Sequence, residues 1–130
     1  MILIDTSVWI EYFKQHSEYV TDVQQLLEGQ AVIAIEPVFS ELLYGVRNRK
    51  EKELIESYWQ ILPRIEFRSN SMLEAAEYAN LNDYYKLGIG IMDAIIIKSV
   101  MEGNHLLWTL DGKIQKAVKN QMLYLPDNRI

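Results

Sequence analysis

Two short runs in this chain are apolar on both faces: "MILI" at residues 1–4 and "AVIAI" at residues 31–35. A strand with one wet face alternates apolar and polar residues, whereas a strand covered on both faces does not. Such runs demand a sheet sandwiched between helices. "HLLWT" at 105–109 reads as a further strand, and "MLYL" at 122–125 as a closing one. "ILPRIEF" at 61–67 is also strand-like, but Pro63 removes a ladder donor and confines that strand to an edge.

Helical patterns fill the intervals. Val8, Trp9, Tyr12 and Phe13 share one helical face, and Thr6 and Ser7 offer cap oxygens before them. A second helix covers about 19–27 and stops at Gly29. Pro37 suits the first turn of a helix reaching about residue 47, and another helix spans 51–59. Ser71 and Glu74 have capping-box spacing and open a helix that ends near Gly88. Helices over about 92–101 and 111–118 complete the pattern. Short buried strands alternating with helices predict an α/β fold with a mainly parallel sheet and helices on both faces.

At 130 residues the chain is expected to form one domain over 1–130 with a proper core. No uncharged apolar stretch approaches the roughly 20 residues of a membrane span. The opening lacks the basic head of a secretory signal and meets Asp5 after four apolar residues. With no cysteine, thiolate metal sites are excluded and a reducing cytoplasm is the expected location. The net charge of −5 argues against a protein that coats nucleic acid, yet leaves room for a nuclease whose acidic pocket is neutralised by metal.

In parallel α/β sheets, ligands bind beyond the carboxyl ends of the strands, where strand order reverses. Acidic residues at strand ends therefore matter. Asp5 ends the first strand; it is either a helix cap or a carboxylate presented to a site. Glu41 shares a helical strip with Val38, Leu42 and Gly45, and a glycine inside that helix would permit a close approach. Asp93 stands among apolar neighbours in a first helical turn, where either the helix dipole or a site partner accounts for it. Asp111 follows "LLWTL" as Asp5 follows "MILI", so neighbouring strands would bring the two together; by itself it is an ordinary N-cap.

Two carboxylates at ~4 Å repel by ~4 kcal/mol at an effective dielectric of 20. Four converging ones must share protons or bind cations. Oxygen ligands without histidine or cysteine suit Mg²⁺ or Mn²⁺, ions that act well on phosphates. Elsewhere, "RNRK" at 47–50 reads chiefly as a solvated helix end, and Lys113, Lys116 and Lys119 as a polar helix face, phosphate contact being the alternative for each. His16 and His105 have no ligand-like spacing, and Trp9, Trp59 and Trp108 are expected in the core or at a dimer surface.

"LIDTSVWIEYF", "PVFSELLYGV", "MDAIIIKSV" and "LWTLDGKI" resemble, in order and spacing, the four acidic motifs of PIN-domain ribonucleases, in the small form typical of VapC-like toxins of toxin–antitoxin systems. The resemblance implies a three-layer α/β/α fold with four or five strands and a Mg²⁺- or Mn²⁺-dependent endoribonuclease. Asp5 and Asp93 would be the main metal ligands, with Glu41 and Asp111 completing the cluster. Thr6, Ser7 and Thr109 would support it, Ser7 by holding water or backbone near Asp5. It further implies in-line attack of activated water on RNA, leaving a 5′-phosphate and a 3′-hydroxyl. A homodimer and a small antitoxin, whose tail places a basic side chain at the pocket, are the implied partners.

The rival readings differ in residues that can be checked. An aspartyl-phosphate phosphatase needs a second Asp two positions after Asp5, where Ser7 stands. A phospho-acceptor signalling module would need an acidic pair after the first strand, with Glu36 imitating the acceptor. A silent PIN-like binding domain would keep the fold without the activity.

Overall fold

In a computed structural model the chain is described over residues 1–126, and the apolar runs become the centre of the molecule. Strands β1 (Ile2–Ile4), β2 (Val32–Ile35), β3 (Arg64–Ile65) and β4 (Leu106–Trp108) form one sheet in the order β3-β2-β1-β4. All three pairings are parallel, with Ile2 opposite Val32 on one side and Leu106 on the other. Every residue of β1 and β2 is buried, as expected of strands covered on both faces. Pro63 precedes the edge strand β3, where its missing N–H costs nothing, and its carbonyl accepts from Ala34 N at 2.8 Å. The closing strand expected at 122–125 shrinks to one parallel bridge, Leu123 with Leu107, after a 3₁₀ turn at Asn120–Met122.

Helices α1 (Thr6–Phe13), α2 (Ser17–Glu28), α3 (Glu36–Tyr44) and α4 (Arg49–Ile61) occupy the first half, with α1 packed on α2 and α3, and α3 on α4. In the second half α5 (Ser71–Leu81) lies along α6 (Ile91–Gly103), and α7 (Gly112–Ala117) packs on a 3₁₀ turn at Tyr84–Leu87. The apolar run of α6 explains its depth: Ala94, Ile95, Ile96, Ile97 and Val100 are all buried.

Four local expectations are corrected. The N-cap of α1 is Asp5, whose carboxylate accepts from Thr6 N, so Ser7 is left for other bonds. The helix after β2 stops at Tyr44, and Gly45 is its C-cap instead of an interior residue. A Cβ there would sit 3.7 Å from the nearest carbonyl, ordinary contact, so no close approach requires that glycine. The capping box at Ser71 does not form. Ser71 Oγ accepts from Arg68 N, and Glu74 pairs with the Arg68 guanidinium, which also reaches Glu102. The "RNRK" run likewise marks the start of α4, not a helix end: Asn48 caps it, and Arg47 and Arg49 pair with Glu51 and Glu53.

Trp9 anchors the core under α1. It is 1% exposed and its ring lies 5.4–5.9 Å from those of Tyr12, Phe13, Phe39 and Tyr58. Tyr12 and Tyr58 bring their hydroxyls together at 2.9 Å, which satisfies both phenols inside the cluster. Trp108 is buried beside Tyr19 and Tyr124, whereas Trp59 is only half-buried under the Arg64 guanidinium. Removing the Trp9 ring should cost about 3–5 kcal/mol, the usual range for deleting a large buried aromatic side chain. Urea denaturation of Trp9→Ala, compared with wild type, measures that loss.

Candidate active site

The strand order places the topological switch between β1 and β4, because the chain leaves β1 toward β2 and β3 and later returns on the other side. Both strands end there. Asp5 N donates to Trp108 O at 2.9 Å, so the carboxylate of Asp5 and the segment Thr109–Asp111 leave the sheet together.

Asp5 is 6% exposed and heavily hydrogen-bonded. Its Oδ1 accepts from Thr6 N at 2.8 Å; its Oδ2 accepts from Thr109 Oγ1 at 2.7 Å and, more weakly, from Ser7 Oγ at 3.4 Å. A carboxylate has about four acceptor positions, so one remains open. Thr109, itself 3% exposed, accepts in turn from Asp111 N at 3.1 Å, and Ser7 Oγ accepts from Leu110 N at 3.1 Å. Asp111 caps α7 by accepting from Lys113 N at 2.8 Å. Gln115 completes the frame by donating to Thr109 O at 2.9 Å. No sequence signal marked Gln115, whose role depends on the turn that returns α7 toward β4.

Asp93 enters from the first turn of α6 and is half-buried; Glu41 comes from α3 and is more exposed. Electrostatics unites the four. Burial raises the pKa of Asp5, opposed by the Thr109 and Thr6 hydrogen bonds, with Asp111 adding repulsion. Burial, then Asp5, raises that of Glu41. The Thr6 hydroxyl tempers that rise without meeting hydrogen-bond geometry, and its oxygen is buried with no partner. Asp93 is pushed up to about 6 by burial and by the charges of Asp5, Asp111 and Glu41, with Lys113 opposing. By contrast Glu36 stands exposed at the start of α3, where it makes no acidic pair at the end of β1.

Among the described residues, no three His, Asp or Glu side chains already stand in a metal-holding arrangement. The donor chemistry nonetheless fits a hard divalent ion. It is all oxygen, it is mutually repelling, and it leaves an acceptor position on Asp5 and the Thr6 hydroxyl oxygen unused.

A PIN-domain family model matches residues 2–120, and the chain belongs to the PIN-domain family. Among solved structures it is similar to VapBC2 from Rickettsia felis, bound to a DNA fragment from the promoter, with a TM-score of 0.68 and 23% identity over 95% of this chain and 96% of that one. FitAcB from Neisseria gonorrhoeae follows with a TM-score of 0.61 and 17% identity over 90% and 92%. At these identities the likeness is one of fold. No significant match was found among curated proteins.

The raised pKa of Asp93 has a measurable sign. Between its ordinary value of 3.8 and about 6, the folded chain binds this proton and the unfolded chain does not. Its contribution to stability therefore declines as pH rises through that window and is level above it. In metal-free thermal melts, the Tm of Asp93→Asn minus that of wild type should grow from pH 4 to 6.5 and then flatten. A difference independent of pH would contradict the raised pKa.

Proposed function

We propose that this PIN-domain chain is a divalent-metal-dependent endoribonuclease and the toxin of a toxin–antitoxin pair. The observation that carries the reading is the mutual repulsion of Asp5, Glu41, Asp93 and Asp111 at the switch point of a parallel sheet. Folding against that repulsion is costly, and a divalent cation relieves it.

Asp5 and Asp93 would hold the ion, with Glu41 and Asp111 completing the acidic set. Mg²⁺ or Mn²⁺ bound there supplies Lewis-acid activation of water and neutralises charge on the scissile phosphodiester. The chain's own residues prepare the site. Thr6, Ser7 and Thr109 fix both oxygens of Asp5, so the carboxylate is oriented before any ligand arrives. The backbone of Lys113 does the same for one oxygen of Asp111. In-line hydrolysis at this site leaves a 5′-phosphate and a 3′-hydroxyl.

The partner reading has physical support. A groove of about 290 Å³ between α1, α3 and α4 is lined by Ile10, Phe13, Leu42, Val46, Leu54 and Ile55, and Glu41 borders it. An antitoxin segment with apolar side chains for the groove and a basic one for the acidic pocket matches both. The neighbouring folds, VapBC2 and FitAcB, support such a pairing. A homodimer would cover Leu73, Leu81 and Tyr85, which stand 66%, 81% and 65% exposed. No helix among the described residues is long and apolar enough to cross a membrane, and we assign the chain to the cytoplasm.

Purified protein should cleave structured RNA with Mg²⁺ or Mn²⁺ and not in EDTA. Asp5→Asn should lower cleavage by at least about 100-fold, about 2.7 kcal/mol of transition-state stabilisation. Its far-UV circular dichroism should be unchanged, because asparagine caps helices as well as aspartate. Equal cleavage by both proteins would reveal a contaminant and remove the assignment.

A further inference from the structure

An acidic site has an unsolved recruitment problem. RNA is a polyanion, the chain carries a formal charge of −5, and the four site carboxylates repel the phosphate on which they must act. A bound ion offsets part of that charge. A cation belonging to the chain would offset more of it and would hold the strand in register.

Lys113 is placed for this. It is the second residue of α7, two positions after Asp111, and its backbone N–H is already committed to Asp111 Oδ1. Its side chain turns toward the 3₁₀ segment and lies over Gly88. A Cβ built on Gly88 would stand 3.3 Å from Lys113 Cδ, 3.6 Å from Cε and 3.7 Å from Nζ. Gly88 also has φ +78°, a left-handed conformation that side chains rarely adopt. The glycine thus provides a flat seat, and any larger residue would press on the lysine stem. Contact of Cδ, Cε and Nζ with one backbone surface narrows the rotamers of this exposed side chain, so fewer are lost on binding.

The ammonium is also uncommitted. Lys98, Lys86 and Lys14 are each drawn to a neighbouring carboxylate, whereas Lys113 makes no ion pair among the described residues. It is nonetheless near enough for its charge to be felt at Asp93. Lys116, one helical turn further along α7, is exposed as Lys113 is, but of the two only Lys113 lies over a glycine.

We propose that Lys113, seated on Gly88, binds an RNA phosphate at the rim of the acidic site and positions the strand there. The inference rests on the nuclease reading above. Lysine acts here as a point charge with three donors, suited to a phosphate oxygen and indifferent to base identity. It would contribute chiefly to strand binding and register, so its loss should appear in KM and RNA affinity before it appears in kcat.

The test measures binding of a fluorescein-labelled single-stranded RNA by anisotropy, in Ca²⁺ to limit cleavage, across a series of salt concentrations. Lys113→Met should weaken binding about tenfold, about 1.4 kcal/mol. It should also reduce the slope of log affinity against log salt by about 0.7, the value for one phosphate contact on a single strand. Lys113→Arg should restore both, and Lys116→Met should change neither. In Mn²⁺, Lys113→Met should raise KM for cleavage more than it lowers kcat. If wild type binds and cleaves RNA and Lys113→Met matches it in affinity and slope, the inference fails and the nuclease reading stands. Equal losses in the Lys113 and Lys116 variants would also overturn it, because a diffuse field and not a seated contact would then be at work. A wild type that neither binds nor cleaves RNA would remove the nuclease reading, and this inference with it.

Discussion

The hydrogen bond from Thr109 Oγ1 to Asp5 Oδ2, 2.7 Å long and almost wholly buried, is the interaction on which the acidic site depends. It joins the ends of two parallel strands, β1 and β4, at the point where strand order reverses. It also does most to offset the cost of burying the Asp5 charge. Asp111 N–H donates to the same threonine oxygen, so one hydroxyl sets the spacing between two carboxylates. Valine has nearly the same shape and could fill the space, but it would leave Asp5 Oδ2 with only the long contact from Ser7. Burying a charge with a partner missing is costly.

The architecture around this bond divides labour between rigidity and access. Asp5 is held by strand and helix at once and is nearly invisible to solvent, while Glu41 is exposed on α3 and Asp93 is half-buried on α6. The carboxylates thus come from four separate elements and span a range of burial. Burial raises the pKa of Asp5, Glu41 and Asp93 alike, and three neighbouring charges help push Asp93 up to about 6. The groove beside Glu41 is lined mainly by apolar side chains, with Lys14, Arg47 and Glu51 also on its walls.

Much of this was legible in the sequence because buried parallel strands leave an unambiguous mark. The apolar runs at β1 and β2, the edge character forced by Pro63, and the strand-end positions of Asp5 and Asp111 follow from residue type alone. What escaped were choices between residues of similar local propensity. Asp5, Thr6 and Ser7 are all good caps, and only the approach of β4 decides that Asp5 takes the cap while Ser7 reaches Leu110 N. Glu74 had the spacing of a capping box but found a guanidinium, a stronger partner, in Arg68. Gly45 was misplaced because a helix end and a helix interior look alike when apolar residues continue past the glycine. Gln115 and the seat of Lys113 on Gly88 depend on tertiary contacts that no local pattern encodes.

The sheet order also has a consequence in time. Asp5 and Thr109 lie 104 residues apart, and β1 cannot acquire its second neighbour until Leu106–Trp108 has been made. At translation rates of roughly 5–20 residues per second, that interval is roughly 5–20 s. Throughout it, a growing chain carries Asp5 without the partner that orients it and without Asp111. The acidic site therefore cannot be complete until β4 and the turn that follows it have left the ribosome.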